Sequence, residues 1–417
     1  MRTRTQKKRR VAVVGLGYVG WPLALLARKK GYEVTGIDIS AEKIAERAAE
    51  AKKHRIDLSQ SFEPIRESDV VVVCVPTPVH ENHEPDLDPL RAASESIAPH
   101  LKRGTLLLIE STVNPGVCEE IVLPLITKGS GLKAEDIYFA HCPERINPGD
   151  PEWHVGNIPR VVGALNAGSL RKAIAFYESI LSGGVMPLTS LKEAEAVKMV
   201  ENSFRDINIA FVNELAMSFS KLGIDVMNVI KGASTKPFSF MAHYPGCGVG
   251  GHCIPVDPYY LITYAKQNGF THRFLAMARD VNNKMPQFTV ERLLEVFEEK
   301  GVRPESARVA VLGIAYKPNI DDYRESPALV INDLLQKKGV KVIAYDPNVP
   351  HLSEAKNLKE ALSGADAVVI ATAHDGFMKL TPSVLKKEGV HIVIDGRNCL
   401  SKERFVEAGM TYRGIGR

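Results

Sequence analysis

The sequence predicts an α/β protein in which two doubly wound halves are joined by a long central helix and a helical middle. Three features carry this reading. Short, nearly all-apolar β-branched runs alternate with helical stretches through the first half, the segment from Leu191 to Leu222 holds neither Gly nor Pro, and a second alternating series starts after about residue 300. Strands buried on both faces of a parallel sheet read as unbroken apolar runs, and their alternation with helices marks Rossmann-like domains. The expected division is 1–190, 191–300 and 301–417. In 417 residues the chain is 45% hydrophobic and 24% charged, an ordinary globular composition that excludes a disordered chain or a collagen-like fibre.

In the first half the expected strands are Val11–Val14, Val34–Ile37, Val70–Val75 and Leu106–Ile109, with weaker ones at Ile137–Ala140 and Arg160–Gly163. The middle opens on Ser190 and Glu193, an S-x-x-E capping box, and closes at Gly223. Between them Val197, Val200, Phe204, Ile207, Phe211, Leu215, Phe219 and Leu222 keep the three-and-four spacing of an apolar helix stripe. A helix of that length runs about 48 Å, long enough to link domains and line a subunit contact. A homodimer through this helix is expected. The second half is expected to hold strands Val309–Leu312, Val340–Tyr345, Ala367–Ala371 and Ile392–Ile394, with a helix over Pro327–Lys338.

Charge and cysteine usage exclude several classes. Lys and Arg number 53 against 49 Asp and Glu, a net +4 that does not mark a nucleic-acid binder. Six cysteines without a CxxC pair predict thiols in a reducing cytoplasm, with no disulfide frame and no metal site. The basic head MRTRTQKKRR before the apolar run imitates a secretory signal, but glycines interrupt the run and no cleavage pattern follows. It reads as a solvated tail, and no stretch reaches 18 consecutive apolar residues.

Two segments carry chemistry. Strand Val11–Val14 runs into Gly15-Leu16-Gly17-Tyr18-Val19-Gly20 and then a helix to about Lys30. Gly15 permits the turn, Gly17 lets a pyrophosphate approach the backbone, and Gly20 lets helix and strand pack. Asp38, ending the next strand, is placed to accept from the adenosine ribose hydroxyls. Its charge, with no cation at Ile39 or Ser40, favours NAD over NADP.

The second is Tyr244-Pro-Gly-Cys-Gly-Val-Gly-Gly-His-Cys-Ile-Pro-Val-Asp-Pro-Tyr-Tyr260. Four glycines and His252 within seven residues are not what packing asks for, and predict that something comes close to the backbone. Cys253 closes the run, and a thiolate captures aldehydes as thiohemiacetals. A lone cysteine is more often an inert core residue; in this loop, beside a dinucleotide motif, it is expected to be catalytic. His252 is either a base or part of the loop wall. Cys247 is a bystander thiol, near enough in sequence to pair with Cys253 under oxidation.

These motifs resemble the UDP-glucose/GDP-mannose dehydrogenase family. The resemblance rests on GLGYVG, E-S-T-V-N-P-G at Glu110–Gly116, P-E-R at Pro143–Arg145, K-M-V-E-N at Lys198–Asn202, G-G-H-C-I-P-V-D, and Y-K-P-N-I-D-D-Y-R-E-S-P at Tyr316–Pro327. Thr235–Met241 and Val256 are similar to the branch that oxidises UDP-N-acetylhexosamines, UDP-N-acetylglucosamine first among them, with UDP-N-acetylmannosamine, UDP-glucose and GDP-mannose as the alternative substrates. The resemblance implies oxidation of sugar C6 to a carboxylate with two NAD reduced. Two hydrides must leave, and Cys253 would hold the aldehyde between them.

It also implies the other roles. Lys198 and Asn202, one helical turn and about 40° apart, stabilise the oxyanion. Asp257 takes the hydroxyl proton, Glu144 assists thioester hydrolysis, and Thr112 positions water or touches cofactor. Cofactor contacts are expected at Gly15, Gly17, Tyr18, Val19, Gly20, Asp38, Pro76, Thr77, Thr112 and Arg324. Substrate contacts are expected at Glu144, Arg145, Lys198, Asn202, Tyr244, Gly250, Lys317 and Arg397, and the second half, lacking GxGxxG, is expected to hold UDP. Two departures from the family pattern stand at Cys247, where Pro is expected, and Cys142, where Ser is usual.

Overall fold

A computed structural model describes residues 9–80, 84–146 and 152–417; most of the basic head lies outside the described residues. The chain divides into two compact units, one reaching Glu201 and including Thr263–Asn268, the other made of Asn202–Ile262 and Gly269–Arg417.

The first unit holds eight strands: β1 (Arg10–Val14), β2 (Glu33–Ile37), β3 (Asp57–Ser59), β4 (Val70–Val73), β5 (Leu106–Ile109), β6 (Tyr138–His141), β7 (Arg160–Ala164) and β8 (Val185–Pro187). Their order is β3-β2-β1-β4-β5-β6-β7-β8, whose first six strands follow the dinucleotide-binding arrangement. Alternate residues of one strand feed two different cores. Val11 and Val13 pack in one cluster with Trp21 and Phe176, whereas Ala12 and Val14 pack in another with Ile97 and Phe139. A sheet covered on both faces requires this, and it explains the unbroken apolar runs. β7, the strand expected at Arg160–Gly163, pairs antiparallel to β6 in an otherwise parallel sheet.

The second unit carries β9 (Arg308–Leu312), β10 (Lys341–Tyr345), β11 (Ala367–Ile370), β12 (Ile392–Asp395) and β13 (Thr411–Gly414). All are parallel in the order β10-β9-β11-β12-β13, the other common doubly wound order. The architecture is therefore α/β, with two Rossmann-like sheets and a helical middle.

The long helix spans Leu191–Leu222, as read. Its start differs from the expected capping box. Ser190 Oγ accepts from the Glu193 N–H at 3.1 Å, but the Glu193 carboxylate reaches past Ser190 to the Thr189 N–H at 2.8 Å. The apolar stripe is also not the buried face. Val200, Phe204 and Phe211 are 58%, 46% and 54% exposed, while Glu195, Lys198, Asn202, Asp206 and Asn213 are buried. A second helix, Arg273–Lys300, carries Pro286 within it. No helix of the described residues is long and apolar enough to cross a membrane.

Candidate active site

The glycine turn after β1 is built by the chain's own geometry. Gly15 sits at φ +91, and a Cβ there would lie 2.6 Å from the Cys74 carbonyl oxygen. At Gly20 a Cβ would come 1.9 Å from the Gly15 oxygen, so the turn itself, rather than the neighbouring strand, excludes a side chain. Gly17 is different. A Cβ there meets nothing within 4 Å, and its φ lies outside the left-handed region. Nothing among the described residues requires glycine at this position, and the open space over its backbone suits a pyrophosphate. The helix Gly20–Lys29 begins directly beyond, with Val19 as its N-cap and Tyr18 exposed.

Asp38 Oδ2 accepts from the Leu16 N–H at 2.9 Å and Oδ1 from the Ser40 N–H at 3.0 Å. Each carboxylate oxygen retains a second acceptor site for a ribose hydroxyl. These residues fit a dinucleotide, whose adenosine would be held at Asp38 and whose phosphates at the Gly17–Gly20 turn. Thr77, past β4, donates from Oγ1 to the Thr112 carbonyl at 2.6 Å, with Pro76 exposed beside it.

Three residues of the long helix, spaced by three, fasten two motifs of the first unit, the E-S-T-V-N-P-G loop and P-E-R. Glu195, fully buried, accepts from the Gly116 N–H at 2.6 Å and the Cys118 N–H at 2.8 Å, closing the E-S-T-V-N-P-G loop that carries Thr112. Lys198 Nζ lies 3.5 Å from Glu144 Oε2, both side chains about nine-tenths buried. Glu201 takes Arg145 in a two-point contact, with Nε 3.3 Å from Oε2. Burial pushes the Glu144 carboxyl up; Lys198 and Arg160 pull it back, and Glu110 opposes them. Its Oε1 has no hydrogen-bond partner among the described residues, which leaves an acceptor for water or substrate. Behind it Arg160 and Glu110 form a fully buried pair at 3.3 Å, joined by Tyr177 Oη at 2.7 Å from Glu110.

In the second unit the cysteine loop is fastened residue by residue. Asn213 of the long helix accepts from the Gly246 N–H at 3.0 Å and is itself held by Asn282, which bonds Asp206 beside Arg279. The Cys247 N–H donates to the Gly396 carbonyl at 2.8 Å, and its thiol to the Ala371 carbonyl at 3.4 Å. Cys247 thus serves as a core residue of the second sheet, and burial pushes its thiol pKa up. Arg397 Nη1 donates to the Gly248 carbonyl at 3.2 Å.

The loop glycines do have packing reasons, contrary to the expectation. A Cβ at Gly248 would lie 2.9 Å from Pro327, and one at Gly250 2.7 Å from the Glu325 oxygen. Half-buried Cys253 presents its carbonyl to the Asp257 N–H at 2.9 Å, where the helix Asp257–Gln267 begins. Asp257 is 3% exposed, and its Oδ2 accepts from Asn202 Nδ2 at 2.5 Å. Lys317 is half-buried on the loop after β9, and Tyr244 is exposed.

Sequence reasoning missed Glu195, Glu201, Asp206, Asn213 and Asp322. Glu195, Asp206 and Asn213 lie outside the quoted motifs, while Glu201 and Asp322 lie inside K-M-V-E-N and the Tyr316–Pro327 run without having been given a role. The one signal available was the run of polar residues at helical spacing, Glu195, Lys198, Asn202, Asp206 and Asn213, on the face opposite the apolar stripe.

A glycine turn of this form on a doubly wound sheet is that of an NAD-dependent dehydrogenase. The family descriptions agree: UDP-glucose/GDP-mannose dehydrogenase family, NAD binding domain, matches residues 9–181, its central domain 192–284 and its UDP binding domain 310–402. The chain is 37% identical to UDP-N-acetyl-D-mannosamine dehydrogenase of Pyrococcus horikoshii, over 98% of this chain and 99% of that one. It is 36% identical to UDP-N-acetyl-D-glucosamine 6-dehydrogenase of Pseudomonas aeruginosa, over 95% and 99%. The solved structure of a UDP-D-ManNAc dehydrogenase from Pyrococcus horikoshii aligns with a TM-score of 0.90 at 36% identity, covering 98% and 99% of the two chains. The chain belongs to the UDP-glucose/GDP-mannose dehydrogenase family and is an NAD-dependent dehydrogenase of UDP-sugars, acting at C6.

Proposed function

We propose that the chain oxidises the C6 hydroxymethyl of a UDP-N-acetylhexosamine to the uronate in two two-electron steps, with Cys253 holding the carbon between them. The supporting observation is the cysteine loop, bonded from Gly246 to Asn213 of the long helix, from Cys247 and Gly248 to Gly396 and Arg397, and from Gly251 to Arg324. When bound, NAD accepts the hydride in each oxidation.

Asp257, ordered by Asn202, takes the proton of the C6 hydroxyl as the aldehyde forms. The Cys253 thiolate adds to that carbonyl carbon, giving a thiohemiacetal. Loss of the second hydride and the hydroxyl proton leaves a thioester, and water then adds and expels the thiolate. Lys198 and Asn202 balance the oxyanion in these steps. Glu144, its carboxyl made more basic by burial, draws the proton from the attacking water, and Thr112 positions that water. Arg145, Tyr244, Gly250, Lys317 and Arg397 are assigned to the substrate. Gly15, Gly17, Tyr18, Val19, Gly20, Asp38, Pro76, Thr77 and Arg324 are assigned to the cofactor.

Thr235–Met241 and Val256 are read as marking the UDP-N-acetylhexosamine branch, within which the favoured sugar is UDP-N-acetylglucosamine, in keeping with the Pseudomonas relative. The Pyrococcus relative supports UDP-N-acetylmannosamine as the second reading. Incubation with a panel of UDP- and GDP-sugars names the substrate. The expected yield is two NADH per sugar, with no uronate from C253A; a yield of one NADH, or uronate from C253A at the wild-type rate, overturns the mechanism.

The three-part division 1–190, 191–300 and 301–417 is proposed to separate NAD binding, subunit contact and UDP binding. The exposed Val200, Phe204 and Phe211, with Phe270, Phe274 and Met277 also exposed, support a homodimer through the middle. Light scattering at micromolar concentration is expected to give twice the 45.8 kDa chain mass, and a monomer there refutes it. A cytoplasmic role supplying surface polysaccharide fits the free thiols of Cys74, Cys118, Cys142, Cys247 and Cys399, which cell fractionation checks.

A further inference from the structure

The residue before the nucleophile is held by a charged brace that the reaction scheme leaves unused. Arg324 grips the cysteine loop twice. Its carbonyl accepts the Gly251 N–H at 3.0 Å, and its Nη2 lies 2.9 Å from His252 Nδ1. The guanidinium is fixed from the other side by Asp322, with Nε 2.9 Å from Oδ1 and Nη2 2.5 Å from Oδ2. Close packing backs the contact, since a Cβ on Gly251 would lie 2.7 Å from the Tyr316 ring. The chain also bends to make it: Glu325, next to Arg324, sits at φ +51, a conformation that costs a non-glycine residue about 1–3 kcal/mol.

This geometry fixes the imidazole. A guanidinium has only donors, so Nδ1 must be the acceptor, and the ring proton is assigned to Nε2. Asp322 Oδ2 stands 3.8 Å from the same nitrogen; it would pair with a proton there, but the shorter Arg324 bond leaves no room for one. In this arrangement Nδ1 serves as an acceptor toward Arg324 rather than as a donor toward Asp322.

We propose that His252 is a positioning residue for Cys253, its Nδ1 locked by Arg324 and Asp322 so that the following peptide presents the thiol in one orientation. This rests on the reading of Cys253 as nucleophile. It assigns Arg324 a job in the cysteine loop, apart from any contact with the dinucleotide.

The test uses the full-length enzyme and the variants H252A, H252N, H252Q and D322N, with C253A as reference. Iodoacetamide alkylation of Cys253, followed by peptide mass, reads thiol presentation; kcat and the KM for NAD are read in parallel. An asparagine oxygen stands at the Nδ1 position, whereas a glutamine amide stands at Nε2, although glutamine fills more of the ring's volume. H252N is expected to hold alkylation rate and kcat within about twofold, while H252A and H252Q lose about tenfold, the worth of one charge-assisted hydrogen bond. D322N is expected to fall between them, and the KM for NAD to stay constant across the His252 variants.

Equal rates for H252Q and wild type, or an H252N as slow as H252A, overturn the proposal. Should C253A stay active, the nucleophile reading itself fails; a dead C253A beside an unaffected H252A removes the brace alone.

Discussion

The turn after β1 and the turn after β9 follow one hydrogen-bond plan and end in opposite states. Gly15 donates to the Ile37 carbonyl at 2.8 Å and Gly313 to the Tyr345 carbonyl at 2.9 Å. The next N–H reaches a carboxylate at the end of the neighbouring strand, Leu16 to Asp38 at 2.9 Å and Ile314 to Asp346 at 2.7 Å. There the likeness ends. Asp38 is half-buried and takes one further backbone bond, from Ser40. Asp346 is fully buried and takes the N–H groups of Ala315 and Asn348 and the His374 Nε2 at 2.9 Å.

Beyond Gly15 the helix starts at Gly20. Beyond Gly313 the chain runs to Pro327 before a helix begins, and that intervening segment packs on the cysteine loop. The same backbone device keeps acceptors open for a ligand in one case and is saturated by the protein itself in the other. A shared turn is thus no evidence for a shared ligand; the unsatisfied acceptor is.

Alanine at the two turns should break this pairing most visibly. At Gly313, φ +100, a Cβ would lie 2.3 Å from the Thr372 Cβ, so G313A is expected to lose roughly 3 kcal/mol of stability or more in urea titration. G17A should leave the urea midpoint where it is and weaken NAD binding about tenfold to a hundredfold by calorimetry, because only the ligand approaches that backbone. A midpoint shift in G17A with NAD affinity intact would undo the contrast.

The smallest effect concerns acid. Burial would raise the Asp346 carboxyl, but the bonds from His374 and the Ala315, Ile314 and Asn348 N–H groups outweigh it and hold the pKa at about 2. A depressed carboxylate adds stability above its unfolded pKa and loses it as pH falls through the folded one. The contribution is about 2 kcal/mol at neutral pH, fading between pH 4 and 2. D346N should be weaker by about that much at pH 7 and converge toward wild type near pH 2; equal stability at pH 7 would show the carboxylate to be idle.

Much of the fold was legible because its determinants are local. β5 was placed at its observed ends, since Leu106–Ile109 is a closed apolar run, and the long helix lacks any breaker between Leu191 and Leu222. β3 and β8, of three residues each, carry no such run. β7 pairs antiparallel through two residue pairs that no local pattern encodes. The helix Arg273–Lys300 hid behind Pro286, which local rules treat as a stop.

At the site, Gly17, Asp38 and Cys253 announced themselves by motif. Asn213 and Glu195 act through partners distant in sequence, and Asp322 reaches the cysteine loop through its neighbour Arg324. The apolar stripe pointed away from the buried face, which holds Glu195, Lys198, Asn202, Asp206 and Asn213 with polar partners.

The spacing of Glu195, Lys198 and Glu201 has a genetic consequence. Each residue added to or removed from a helix turns everything beyond it by about 100° and shifts it by about 1.5 Å. Losing Ala196 alone would swing both the lysine and the second glutamate off their targets while the first stayed in place. Substitutions along this stretch can be sampled one by one, but its length must be inherited whole.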